Sequence, residues 1–131
     1  MTDRRDFLKA SMVAVAGLAV SRASQVRAEE LPAGIIYTSA SPGRWAGKEK
    51  IHAPLVSREG NKITITTNHP MSAPHYIVRH TLVAAGGEVL GDKTFMPTDE
   101  KAVSVFELAE GQQPRYATSF CNQHDFWVTE I

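Results

Sequence analysis

The pattern of apolar and polar positions along this chain predicts a protein built from short β-strands. Residues 62–67 alternate β-branched apolar and polar side chains, as a half-buried strand does. Residues 75–83 predict a second strand, which ends at a turn formed by Gly86 and Gly87. Further short strands are predicted at residues 88–95, 102–108, 115–120 and 126–130.

No long segment has helical periodicity, and the chain contains no internal repeat. Short strands at regular spacing, separated by turn residues, are typical of antiparallel sandwiches. We therefore predict an all-β fold, an immunoglobulin-like antiparallel β-sandwich of about seven short strands. Residues 29–50 are rich in glycine and proline and predict a loop-rich N-terminal segment before the first strand.

The first 28 residues predict an export signal rather than part of the fold. Arg4 and Arg5, followed by Phe7-Leu8-Lys9, are typical of a bacterial Tat signal peptide. The apolar run at residues 10–20 is too short to cross a bilayer core of ~30 Å as a helix. We expect cleavage after Ala28, one domain at residues 29–131 and a periplasmic location. A retained N-terminal membrane anchor, or an ordinary core helix, is the alternative.

Charge argues against nucleic acid or an anionic membrane surface as partner. The chain has 14 basic and 14 acidic residues, and the leader holds five of the basic and two of the acidic ones. Cleavage would therefore leave 103 residues with a net charge of about −3. That length suffices for one small domain with a single core.

One cysteine and four histidines supply the candidate chemistry. Cys121 is the only cysteine and lies three residues before His124. His69 and His75 flank a proline-containing loop, and His52 lies in an Ile-His-Ala-Pro step. One soft thiolate and four imidazoles suit a redox-active transition metal, whereas calcium and magnesium prefer oxygen ligands.

Two simpler interpretations accompany this set. Cys121 alone could be a buried small hydrophobic residue or half of an intermolecular disulfide. His80, the fifth histidine, lies five residues after His75 on the same predicted strand, so the two should face opposite sides. We leave His80 out of the metal set and predict a surface or cross-strand histidine.

In their order, these motifs resemble the superoxide reductases of the one-iron neelaredoxin type, related to the catalytic domain of desulfoferrodoxin. The resemblance covers residues 45–127, nearly all of the chain after the leader. Each motif alone is common, whereas all of them in this order are specific. The motifs are His52-Ala53-Pro54, His69-Pro70 with His75 six residues on, and Cys121-Asn122-Gln123-His124 followed by Trp127.

The resemblance implies one mononuclear non-haem iron bound by His52, His69, His75, His124 and Cys121. Cys121 would lie opposite an open position, at which superoxide is reduced to hydrogen peroxide. An external electron donor, rubredoxin-like or another small redox protein, would supply each electron. The resemblance also implies a homo-oligomer, either a dimer or a tetramer. With Cys121 as the single cysteine, we expect no second, cysteine-bound iron within this sequence.

The chain departs from the family immediately before the first ligand. Family members commonly carry Glu-Lys directly before this histidine, the glutamate to cap the open position and the lysine to attract superoxide. Here Ile51 occupies that position, and the pair Glu49-Lys50 is shifted by one residue. In an extended loop such a shift reverses the side on which each group points. We keep Glu49 and Lys50 as candidate catalytic residues and Lys48 and Arg44 as candidates for substrate steering.

Three alternatives remain open. A blue-copper electron carrier is also a small sandwich with Cys and His ligands, but no methionine follows His124 and four histidines are too many. A non-catalytic sandwich would make the histidines incidental. An iron-binding family member that has lost reductase activity would keep the metal ligands but would react slowly with superoxide.

Overall fold

The computed structural model describes residue 32 and residues 34–131, so the predicted leader lies outside the described residues. A 3₁₀ turn, η1, and a single helical turn, α1, precede the strands. The elements are η1 (Gly43–Trp45), α1 (Glu49–His52), β1 (Leu55–Glu59), β2 (Lys62–Thr67), β3 (Ile77–Ala84), β4 (Val89–Thr94), β5 (Ala102–Glu107), β6 (Pro114–Cys121) and β7 (Asp125–Glu130). Within this range, no helix is both long and apolar enough to span a membrane.

The strands form two antiparallel sheets. One sheet has three strands in the order β1-β2-β5, and the other has four in the order β4-β3-β6-β7. This confirms the predicted all-β antiparallel sandwich. Strand β1 was not among the predicted strands, because it lies at a sheet edge and four of its five residues are exposed. An edge strand exposed on both faces does not show the alternation on which the prediction depends.

The main core lies between the sheets and begins with the alternating residues of β2. Ile63 and Ile65 are completely buried and pack with Leu82 of β3 and Ala117 of β6. Fully burying one such aliphatic side chain contributes about 1.5–3 kcal/mol. A second cluster, made of Ile77, Phe95, Ala102 and Cys121, lies at one end of the sandwich. It places the single cysteine at the boundary between the apolar core and the loops.

The sequence predicted a surface or cross-strand position for His80, and the surface alternative is wrong because His80 is a core residue. Its ring is fully buried and forms 2.8 Å hydrogen bonds to Thr67 of β2 and Ser104 of β5, both in the opposite sheet. Thr67 also pairs with Ser119 of β6 at 2.8 Å. Burial is tolerated because both ring nitrogens have partners. The sequence could not show these partners, because they lie on other strands.

Candidate metal centre

Five side chains from four parts of the chain meet at one end of the sandwich. The candidate ligand atoms of His52, His69, His75, Cys121 and His124 all lie within 4.8 Å of one another. His52 ends α1, His69 follows β2, and His75 precedes β3. Cys121 ends β6, and His124 lies in the turn before β7. The structure thus brings together every residue that the sequence proposed as a metal ligand.

The distances between these atoms fit one shared metal ion. His75 Nε2 lies 3.1 Å from His69 Nε2 and 3.0 Å from His124 Nδ1. Two nitrogens bound at about 2.1 Å and at right angles on one ion are about 3.0 Å apart. Cys121 Sγ lies 3.7 Å from His124 Nδ1 and 3.9 Å from His69 Nε2, consistent with a longer metal–sulfur bond.

The chain orients two of the imidazoles through their outer nitrogens. His52 Nδ1 donates to the main-chain carbonyl of Lys48 at 2.9 Å, and His69 Nδ1 donates to that of Pro70. These bonds leave both Nε2 atoms without a proton and turned toward the cluster, which is how proteins commonly prepare a metal-binding histidine. His52 Nε2 is buried and has no hydrogen-bond partner among the described residues. A metal ion would satisfy this atom.

The protonation of the imidazoles suits metal binding at neutral pH. Burial lowers the pKa of His52 to about 4 and also lowers the pKa of His69 and His124. Neutral rings have a free lone pair, which a metal requires. In contrast, burial raises the pKa of the Cys121 thiol. The thiolate therefore needs the positive charge of a metal ion for its stability.

Hydrogen bonds join the loops that carry the ligands. Asn122 accepts a 3.0 Å bond from the main-chain N–H of Tyr76, and its amide donates to the carbonyl of Pro74. Gln123 donates to the same carbonyl at 2.7 Å. The Cys121–His124 turn is thereby attached to the loop between His69 and His75.

Two tryptophans pack against the ligands, and sequence analysis assigned a structural role to neither. Trp127 is fully buried, stacks on His52 at 5.7 Å between ring centroids, and donates to the carbonyl of His124. Trp45 meets the His124 ring edge-on at 4.6 Å. The sequence places Trp45 shortly before His52 and Trp127 shortly after His124, which indicated that both lie near the ligands. It does not reveal which imidazole each tryptophan contacts.

The charged residues before His52 occupy a helical turn rather than an extended loop. In a helix a one-residue shift rotates a side chain by about 100°, so Glu49 and Lys50 are not reversed. Glu49 accepts a 2.9 Å bond from the main-chain N–H of Gly47, which lowers its pKa. Lys50 is exposed to solvent. Burial and the neighbouring His75 lower the pKa of His124, and the positive charge of Lys48 adds a smaller lowering.

Arg44 is held by a carboxylate on another part of the chain. Its guanidinium donates to Asp125 Oδ2 at 2.8 Å and stacks over the Trp45 ring at 4.5 Å. Trp45 Nε1 donates to the same oxygen at 2.9 Å. These two bonds lower the pKa of Asp125. The positive charge of Arg44 is therefore largely paired.

A groove of about 480 Å³ lies beside His69. Lys101, which the sequence did not single out, lines this groove together with Asn68 and Pro70. Lys101 lies immediately before β5 and is distant in sequence from His69, which follows β2. Its position near the ligands follows only from the pairing of β2 with β5.

Comparisons with known proteins identify the family and agree with this fold. The sequence model described as Desulfoferrodoxin matches residues 44–130. The superoxide reductase of Treponema pallidum is 27% identical, with 65% of this chain and 69% of that chain covered and a TM-score of 0.56. The superoxide reductase (neelaredoxin) of Ignicoccus hospitalis is 24% identical, with coverages of 73% and 91% and a TM-score of 0.61. No curated protein matches the chain significantly.

Proposed function

This chain belongs to the desulfoferrodoxin family, and we propose that it is a superoxide reductase with one mononuclear non-haem iron. The ligands are His52, His69, His75, His124 and Cys121. The observation that carries this proposal is the convergence of four imidazoles and one thiol within 4.8 Å, in a chain of this family. The named superoxide reductases of similar fold support it.

The reaction consumes one superoxide, one electron and two protons and gives one hydrogen peroxide. Bound iron supplies the one-electron chemistry by cycling between its ferrous and ferric states. The main-chain carbonyls of Lys48 and Pro70 keep the ring nitrogens of His52 and His69 directed inward. Cys121, buried beside Ile77 and Phe95, contributes its sulfur from the apolar side of the site. An external donor returns the electron after each turnover.

Lysines near the ligands provide the attraction for an anionic substrate. Lys48 and Lys50 are exposed, and no carboxylate within residues 34–131 lies at ion-pair distance from either one. Local charge of this kind raises the encounter rate even when the whole chain is acidic. We assign steering to these two residues, with Arg44 contributing less because Asp125 pairs it. The Glu49 carboxylate accepts the main-chain N–H of Gly47 and is not among the clustered ligand atoms.

Metal content, spectra and product stoichiometry test this function. About one iron per chain is expected, with a thiolate-to-iron absorption band on oxidation that Cys121→Ser lacks. With an artificial electron donor, the protein should form one hydrogen peroxide per superoxide consumed and release no dioxygen. One peroxide per two superoxides would indicate dismutation. Stoichiometric copper would favour a blue-copper carrier, and iron without superoxide turnover would indicate a family member that has lost its activity.

We further propose that the protein is exported folded by the Tat route and acts in the periplasm after cleavage at Ala28. Arg4 and Arg5 support this assignment. Cell fractionation tests it, because replacing both arginines with lysine should retain the protein in the cytoplasm. We also propose that a rubredoxin-like protein, or another small redox protein, supplies the electrons. The protein itself is proposed to be a dimer or a tetramer. Light scattering of the purified protein measures the oligomer.

A further inference from the structure

His124 differs from two of its partner ligands in how its ring is held. His52 and His69 each use the outer ring nitrogen to bind a main-chain carbonyl. Among the described residues, the hydrogen bonds of the His124 ring involve only Nδ1, the atom directed at the other ligands. Metal-binding histidines generally need a partner outside the metal that fixes ring orientation. No hydrogen bond from another side chain or main-chain group of residues 34–131 supplies that partner for His124.

Trp45 fills this role by packing. Its ring meets the imidazole of His124 edge-on with 4.6 Å between the centroids. A packed ring orients another only if it is itself fixed, and Trp45 is fixed on two sides. Its Nε1 donates to Asp125 Oδ2 at 2.9 Å, and the Arg44 guanidinium covers one face at 4.5 Å. Arg44 completes the arrangement by donating to the same carboxylate oxygen at 2.8 Å.

The backbone at Asp125 is unusual in a way that points to the same role. Asp125 has φ of +67°, and it is the only residue other than glycine with positive φ among the described residues. This left-handed conformation costs energy for a residue with a Cβ, and it persists where surrounding contacts maintain it. Here it lies directly after His124, where the β6–β7 turn closes on the Cys121–Asp125 pair, and the Asp125 side chain accepts the bonds from Arg44 and Trp45.

We infer that Arg44, Trp45 and Asp125 form a clasp that positions His124 for the metal. The clasp joins η1, which leads to His52, to the turn that carries Cys121 and His124. It would thus fix His52 relative to Cys121 and His124. Arg44 is then mainly a positioning residue, in keeping with its smaller contribution to substrate steering. This inference rests on the proposed metal site.

The rate of metal release tests the clasp without reference to turnover. The iron-loaded mature protein, residues 29–131, is mixed with an excess of a strong chelator at a temperature well below its unfolding temperature. The loss of the thiolate-to-iron absorption band then measures the rate of metal release. Asp125→Gly keeps the left-handed backbone but removes both bonds, so release should accelerate about tenfold or more. Trp45→Phe keeps a ring beside His124 but loses the Nε1–H donor, and it should also accelerate release.

Two further variants separate positioning from general stability. Asp125→Asn tolerates positive φ and keeps a side-chain oxygen for Trp45, so it should release metal more slowly than Asp125→Gly. Asp92→Asn breaks the exposed Arg79–Asp92 pair, which spans 3.2 Å between β3 and β4, and should leave release unchanged. The electron paramagnetic resonance spectrum of the oxidised iron should change in Asp125→Gly and not in Asp92→Asn.

Release at the wild-type rate with an unchanged spectrum, in both Asp125→Gly and Trp45→Phe, would overturn the clasp. Metal release that is accelerated equally in Asp92→Asn would also overturn the clasp, because the loss of any surface ion pair would then have the same effect. The failure of the proposed function is distinguishable from these outcomes. Iron that is bound and protected by the clasp, but that does not reduce superoxide, would contradict the function and support the clasp.

Discussion

At the scale of single residues, the metal-free fold carries a cost in folding free energy that a bound metal ion would remove. His52 Nε2 is buried without a partner among the described residues. Leaving a buried polar atom unsatisfied costs about 1–3 kcal/mol. The ligand set is therefore less favourable for the metal-free fold than for the loaded one, which is common where residues are selected for function.

Lys48 and Lys50 allow a prediction about substrate encounter. Replacing both with glutamine should lower the second-order rate with superoxide by a factor of roughly 10 at low ionic strength, because the local positive field is lost. The salt dependence of the rate should flatten as well. Pulse radiolysis at several salt concentrations measures both effects.

Lys62→Gln is the matched control, since Lys62 begins β2 and lies away from the ligands. It removes one positive charge from the same small protein, half the change in net charge that the double variant makes. A rate for the Lys48 and Lys50 double variant equal to that of Lys62→Gln at low salt would remove these residues from the mechanism.

Gly91 gives a prediction about packing between the sheets. A Cβ at this position of β4 would overlap the Phe106 ring of β5. Gly91→Ala should therefore lower the free energy of unfolding by about 1–3 kcal/mol, as overpacking generally does. Gly86→Ala is the control, because a Cβ at Gly86 would have no neighbouring atom within 4 Å. Urea unfolding measures both, and equal stability of the two variants would contradict this account.

At the scale of elements, a buried polar chain connects the two sheets near the ligands. It runs from Ser104 through His80 and Thr67 to Ser119. Thr67 lies two residues before His69, and Ser119 lies two before Cys121. The strands that deliver these ligands are therefore held together by hydrogen bonds as well as by apolar contact.

The buried His80 in this chain of hydrogen bonds makes stability depend on pH. Burial, together with the nearby charge of Lys93, lowers the pKa of His80 from 6.5 to about 4. Below pH 6.5 the unfolded chain binds a proton at His80 that the folded protein does not accept until about pH 4. Neutral His80 therefore makes its full contribution to the free energy of unfolding above pH 6.5. This contribution is lost as the pH falls to about 4, a change of about 3 kcal/mol.

His80→Gln tests this prediction because glutamine keeps a polar group but does not titrate. In metal-free protein, the difference in unfolding free energy between wild type and variant should shrink as the pH falls from 6.5 toward about 4. Urea unfolding at intermediate pH values measures it. A difference that stays constant across this range would show that His80 titrates normally.

At the scale of the whole molecule, the ligands connect segments that are distant in sequence. His52 and His124 are separated by 72 positions yet contribute to one cluster. A metal that binds only the folded state stabilises it by mass action, by about 4 kcal/mol at a free concentration a thousand times its Kd. Iron removal should therefore lower the unfolding temperature markedly.

Calorimetry of loaded and metal-free protein measures this shift, and Cys121→Ser provides the comparison. The variant should show a smaller shift on adding iron, because it lacks the thiolate. If wild type and Cys121→Ser gained the same stability from iron, the metal would be binding elsewhere.

The sequence by itself determined the strands whose alternation is local and the set of candidate metal ligands. Residues 62–67 alternate because one face packs on the core, and that pattern is visible without any partner. The donor types of Cys121 and the histidines likewise belong to the residues themselves, so the kind of metal could be predicted.

Tertiary structure decided what depends on contacts between distant segments. It buried His80 against Thr67 and Ser104, folded residues 49–52 into a helical turn, and paired Arg44 with Asp125. The contacts of His80 and Arg44 leave no local signal, because each depends on a partner from another element, and the helical turn at residues 49–52 is too short to show a helical period. The same holds for the inward orientation of the ligands, since hydrogen bonds and ring packing fix it only after the sheets have assembled.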